Sequence, residues 1–179
     1  DRLRADTKSE TNGVSQHGCD WDLGIELSIQ LDWPSGFYLV RFVTAQSEIA
    51  EAYFVVRSQK PLDAILVLST STWAAYNNWG GPSFYTGSHV SSFERPLPKG
   101  FLAKEDLHRF RIARVADWSR SDRQDYKNFG YSTWCMAAGW ANWEFLFVRW
   151  AERNGITLGY ATSSDLDASG ELLDGYPAY

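Results

Sequence analysis

Hydrophobic and polar positions change their rhythm twice along this chain. From Leu23 to Leu31 they alternate strictly, with Leu23, Ile25, Leu27, Ile29 and Leu31 on one side. Gly36 to Thr44 alternates again, Phe37, Leu39, Arg41 and Val43 opposing Tyr38, Val40 and Phe42, and Ala50 to Arg57 is a third such run. Period-two patterning with short turns such as Asp32-Trp33-Pro34-Ser35-Gly36 predicts antiparallel strands. Three strands do not close a sandwich, so residues 1–58 read as the tail of an antiparallel β-sandwich domain, its first twenty residues polar and irregular.

After the polar linker Ser58-Gln59-Lys60-Pro61 the pattern differs. Ala64 to Leu68 is continuously apolar, as expected of a parallel strand covered on both faces. Trp143, Leu146, Phe147, Trp150 and Ala151 fall on one helical face, with Asn142 as N-cap and Gly155 as the stop. Ile156 to Ala161 reads as a second parallel strand and Ser164 to Leu173 as a short helical turn. Asp165 and Asp167 are read there as cap and turn residues. Leu172 to Tyr179 reads as a turn leading into a further strand. His89 to Arg95 is expected to be a short extended piece, and 96–136 a long irregular segment, suited either to covering a site or to plain surface decoration. The order predicts an α/β fold: residues 59–179 as the first part of a layered, flavodoxin- or glutamine-amidotransferase-like domain.

Composition sharpens this only in one respect. Aromatic residues make up 16% of the 179 residues, with nine Trp. Large rings fill cores, but in loops they also line clefts. Trp73 and Trp79, by their loop context, are expected in a cleft. The net charge of −5 argues against a nucleic-acid partner, and the basic stretch from His108 to Arg123 is broken by Asp117 and Asp122. No apolar run reaches the roughly 18 residues that span a bilayer. Cys19 and Cys135 make no disulfide framework. The chain starts at Asp1 without a signal-peptide pattern and reads as an internal piece of a longer protein. No compartment is assigned, a cytoplasmic one being slightly favoured.

The candidate chemistry sits in Thr70 to Tyr85, expected as a loop at the carboxyl edge of the first parallel strand, where α/β sheets bind ligands. No nucleophile elbow, phosphate loop, C-x-x-C or H-E-x-x-H is present. Two tyrosines, Tyr76 and Tyr85, stand nine residues apart around Gly80-Gly81. A phenol titrates near 10 and is a poor metal ligand. A hard trivalent cation reverses that, because its charge stabilises the phenolate. On the residues alone, ligation and a role in the core or a cleft wall both remain open.

From about Asp32 onward the sequence resembles the C-terminal region of the large, or β, subunit of N,N-dimethylformamidase and its relatives. The resemblance is carried by Asp32-Trp33-Pro34-Ser35-Gly36-Phe37-Tyr38-Leu39-Val40-Arg41, by Phe54-Val55-Val56-Arg57 and by Thr72-Trp73-Ala74-Ala75-Tyr76-Asn77. It continues through Asn78-Trp79-Gly80-Gly81-Pro82-Ser83-Phe84-Tyr85, Ser92-Phe93-Glu94-Arg95-Pro96, Phe147 to Gly155 and Asp165-Leu166. It implies a mononuclear iron (Fe3+) held by two tyrosines and a glutamate, with a histidine assisting amide hydrolysis. Tyr76 stands at the family's A-Y-x-N tyrosine and Tyr85 at its S-x-Y tyrosine, the spacing between them being shorter here. The glutamate and histidine belong to a His-x-Glu element expected beyond Tyr179, so no catalytic residue is assigned in this chain and the iron site is expected to be incomplete. Trp73, Asn78, Trp79 and Phe84 are expected to bind a small amide substrate. The resemblance also implies an oligomer, with or without a small subunit. A non-catalytic, aromatic-rich carbohydrate- or ligand-binding module is the alternative, and a structural domain keeping the loop without metal a third reading.

Overall fold

A computed structural model describes residues 13–22, 24–104, 130–132 and 134–179. Leu23, Thr133 and the basic stretch 108–123 lie outside the described residues. A short helix α1 (Val14–His17) precedes an antiparallel hairpin of β1 (Gly36–Val43) and β2 (Ile49–Val56), in register from Gly36 opposite Val56 to Val43 opposite Ile49. β3 (Ala64–Leu68) and β4 (Leu158–Thr162) form a parallel pair, Ala64 opposite Leu158 and Leu68 opposite Thr162. Between them lie α2 (Thr70–Tyr76) and α3 (Glu144–Arg153), and β4 runs into α4 (Ser163–Ala168). The mixed α/β character expected from the sequence is therefore present, as two small sheets. No helix among the described residues is long and apolar enough to cross a membrane.

The expected strand at Leu23–Leu31 is not formed. Gly24 to Leu31 carries no ladder, and Ile25, Leu27, Ile29 and Leu31 are all exposed. Alternation makes a segment competent to pair, but a strand exists only where a neighbour supplies hydrogen bonds. The sheet of β1 and β2 is two-stranded, so among the described residues no third strand supplies them. His89 to Arg95 likewise forms bends and irregular backbone instead of a strand. Leu172 to Tyr179 does reach the sheet: Ala178 O accepts from Ile65 N at 3.0 Å, while Ala64 N on the other side of β3 donates to Thr157 O. The end of the described chain thus lies on the edge of β3 opposite β4.

One hydrophobic cluster joins residues on both sides of the linker. Leu68, Trp73, Phe101, Cys135, Trp140, Val148 and Ala151 are buried, and Phe37, Tyr53 and Val55 of the hairpin pack onto them. Phe37 is the hinge pin of this contact, stacking on Trp140 at 3.9 Å between ring centroids and on Tyr53 at 5.3 Å. The opposite hairpin face carries its own stack of Trp33, Tyr38 and Phe54.

Helix α3 corrects the expected face. Val148 and Ala151 are buried, whereas Trp143, Phe147 and Trp150 are exposed. The segment carries two apolar stripes, and the one bearing Phe145, Val148 and Ala151 points at the core. Asn142 is not the N-cap: that position is Trp143, and Asn142 instead donates from Nδ2 to Met136 O. The stop at Gly155 is as expected, its φ of +71° being in the left-handed region that glycine tolerates. At α4, Thr162 and Asp165 form a reciprocal capping box, which accounts for Asp165 as a cap residue. Cys19 and Cys135 are free thiols.

Candidate functional site

The segment after β3 is not a loop throughout. Ser69 ends the strand, and residues 70–76 turn helical because Trp73 and Ala74 are adjacent buried positions that a helix delivers to the core. Trp73, expected in a cleft, is 1% exposed and packs between Phe37 and Tyr53. Its indole Nε1 donates to Glu144 Oε1 at 3.0 Å. Tyr76 sits one turn further on, at the open end of the same helix.

The chain then reverses. Asn77 is buried, its Oδ1 accepting from Trp79 N at 2.8 Å and its Nδ2 donating to Pro96 O. Gly80 and Gly81 adopt φ of +68° and +151°, conformations that side-chain-bearing residues seldom take. The absence of a Cβ also matters at Gly81, where one would stand 2.6 Å from Ser15 Oγ. Helix α1 therefore rests directly on the bend. Beyond it, Ser83 and Thr86 make a capping box around a 3-10 turn, Phe84–Thr86, which carries Tyr85.

The outcome is a paired phenol. The rings of Tyr76 and Tyr85 stack with centroids 4.2 Å apart and planes 14° from parallel. Interaction with the neighbouring Tyr85 side chain and, less, partial burial raise the Tyr76 phenol above its usual range. Tyr85 is exposed on its outer side. Trp134 closes the stack, its ring 5.5 Å from each of the two tyrosines.

Arg95 holds the bend from beneath. Its guanidinium is 7% exposed and donates to the carbonyls of Trp79 (2.6 Å), Asn77 (3.0 Å) and Ser92, and to Ser91 Oγ. Burial lowers its pKa to about 10, which still leaves it charged at neutral pH. Sequence reasoning assigned no role to Arg95 or Trp134. Arg95 lies within Ser92 to Pro96, but nothing there signals that four acceptors converge on it. Trp134 is remote in sequence and carries no spacing signal.

The expected substrate residues separate. Asn78 is exposed and accepts from Ser132 Oγ at 2.9 Å, and Phe84 is exposed beside Tyr85. Trp79 points away toward Trp21, edge to face at 6.2 Å, and lines a cavity of about 1200 Å³ with Tyr53 and Arg95. Neither Tyr76 nor Tyr85 lines that cavity. Among the described residues no group of three or more His, Cys, Asp or Glu is placed to hold a metal ion. What the loop does present to a metal is two adjacent phenol oxygens, a donor pair suited to a hard trivalent cation.

These features define a mixed α/β protein with a paired-phenol site just past the carboxyl end of a parallel strand. Over residues 3–179 the chain matches the family described as N,N-dimethylformamidase beta subunit-like, C-terminal, and it belongs to that family. No curated protein and no solved structure matches it.

Proposed function

We propose that this chain contributes the tyrosine ligands of an iron-dependent amide hydrolase that cleaves C–N bonds of small amides, as the family's name suggests. The observation that carries the reading is the stacked pair of Tyr76 and Tyr85. Two neighbouring phenols can supply two anionic oxygens to one trivalent ion. The resemblance implies a His-x-Glu element for the remaining ligand and the assisting histidine, and residues 1–179 contain none.

When bound, Fe3+ would polarise the amide carbonyl and acidify a water. The chain's own contribution is separate. Tyr76 and Tyr85 each give up a phenolic proton and supply negative charge, Tyr76 from a rigid helix and Tyr85 from a capped turn. Arg95 fixes the bend between them. Phe84 and Trp134 flank the pair with apolar surface that favours a poorly hydrated amide. Trp73 supports the site from the core and takes no part in lining it. β4 flanks β3 on one edge, and the backbone at Ala178 meets the other edge through one hydrogen bond from Ile65 N. In a doubly wound sheet the loop after the first strand then stands at the switch point where ligands bind.

Iron analysis of the intact parent protein tests the proposal. Stoichiometric iron in the wild type, falling at least tenfold in Tyr76→Phe and in Tyr85→Phe, is expected; undiminished iron in both variants overturns it. The carbohydrate-binding alternative loses one of its expected platforms with the burial of Trp73.

A further inference from the structure

The phenol pair is held by more than its own helix and turn. Ser132 Oγ donates to Asn78 Oδ1 at 2.9 Å and also accepts from Trp134 N at 3.1 Å. The same short segment is tied to the body of the molecule: Ser132 N donates to Lys99 O, Cys135 N to Ser132 O, and Ala137 and Ala138 N to Trp134 O. Tyr131, Cys135, Met136 and Ala138 are all buried. Trp134 therefore projects from a turn with little freedom, and its ring meets both tyrosines at equal distance. Asn78, two residues past the helix that carries Tyr76, ties this turn to the tyrosine loop.

We infer that Trp134 is a positioning residue for the phenol pair, seated by the Asn78–Ser132 hydrogen bond, and that it holds the two tyrosine rings in their stack. This inference rests on the reading of Tyr76 and Tyr85 as a ligating pair, but it concerns the chain alone. Outer partners that orient ligating side chains typically alter metal affinity by about 10- to 100-fold.

Two measurements on the same proteins test it: the separation of the Tyr76 and Tyr85 rings in crystal structures without metal, and titration with ferric ion followed by the phenolate-to-iron absorption. Circular dichroism first verifies that Trp134→Ala, Trp134→Phe and Asn78→Ala are folded. Trp134→Ala is expected to open the tyrosine stack beyond its centroid separation of 4.2 Å and to weaken ferric binding about tenfold or more. Trp134→Phe should retain most of both properties, and Asn78→Ala should fall between. Should Trp134→Ala keep the stack and bind ferric ion as the wild type does, the inference is overturned while the ligand reading stands. If the wild type binds no ferric ion but Trp134→Ala still opens the stack, the positioning role stands and the ligand reading fails.

Discussion

The indole Nε1 of Trp73 donates to Glu144 Oε1 across 3.0 Å, linking the helix that carries Tyr76 to the first residue of α3. The other carboxylate oxygen, Oε2, is buried and has no hydrogen-bond partner among the described residues. A charged carboxylate in such a place is penalised, and burial raises the Glu144 pKa above the ordinary carboxylate range, opposed only in part by bonds from Trp73 and backbone N–H groups. Because the folded value lies above the unfolded one, the linked stability is fully present below the ordinary carboxylate pKa. It is lost as pH rises through the raised value. Urea denaturation should therefore show stability declining with pH across that window, and Glu144→Gln, which keeps an acceptor for Trp73, should flatten the decline. An unchanged pH profile in the variant would show that another group is responsible.

Metal binding by the phenol pair should be proton-coupled. Each phenolate formed releases a proton, and the Tyr76 phenol starts from a raised pKa. Ferric affinity is expected to strengthen with pH, by up to about tenfold per unit for each proton released. Titrations between pH 6 and pH 8 in a weakly chelating buffer would measure the slope, and a flat profile would mean that the phenols stay protonated.

Gly81 is expected to be intolerant of a side chain. Its φ of +151° is strained for any other residue, and an added Cβ would meet Ser15 Cβ and Oγ at 2.8 and 2.6 Å. Gly81→Ala should cost about 1–3 kcal/mol by chemical denaturation and displace Tyr85 from Tyr76. Loss of the raised phenol titration in a folded variant would register that displacement.

Arg95→Lys should behave as a disruptive change, although the charge is kept. A lysine cannot reproduce the guanidinium fork that spans Trp79, Asn77, Ser91 and Ser92. The expected loss is about 2–4 kcal/mol, from carbonyls left buried and unpaired. A midpoint within experimental error of the wild type would show that water replaces these bonds without cost.

The two thiols should differ sharply. Cys135 is fully buried and its pKa is pushed up to about 12 by desolvation, whereas Cys19 is partly exposed. A thiol reagent at pH 8 should modify one equivalent in the native protein and two in denaturant.

Much of this was legible from residue order alone. The hairpin, the parallel strands at Ala64 and Leu158, the stop at Gly155 and the Asp165 cap all follow from patterns that short-range geometry enforces: alternation, an unbroken apolar run, a left-handed glycine, a reciprocal box. The pairing of Tyr76 with Tyr85 around Gly80-Gly81 was also foreseeable, because the bend and both rings lie within ten consecutive residues. What the order could not decide was which of two competent surfaces meets the rest of the molecule. Leu23–Leu31 alternates as well as β1 does, but it lacks a ladder neighbour. Helix α3 offers two apolar stripes, and packing chose the one with Val148 and Ala151. Trp73 and Trp79 look alike in sequence, yet one faces the core and the other a cavity, because α2 is a helix and the chain turns after Asn77. Trp134 and Arg95 reach the phenol loop only through the tertiary fold. Local patterns fix what a segment can do; burial, which is shared among distant segments, fixes what it does.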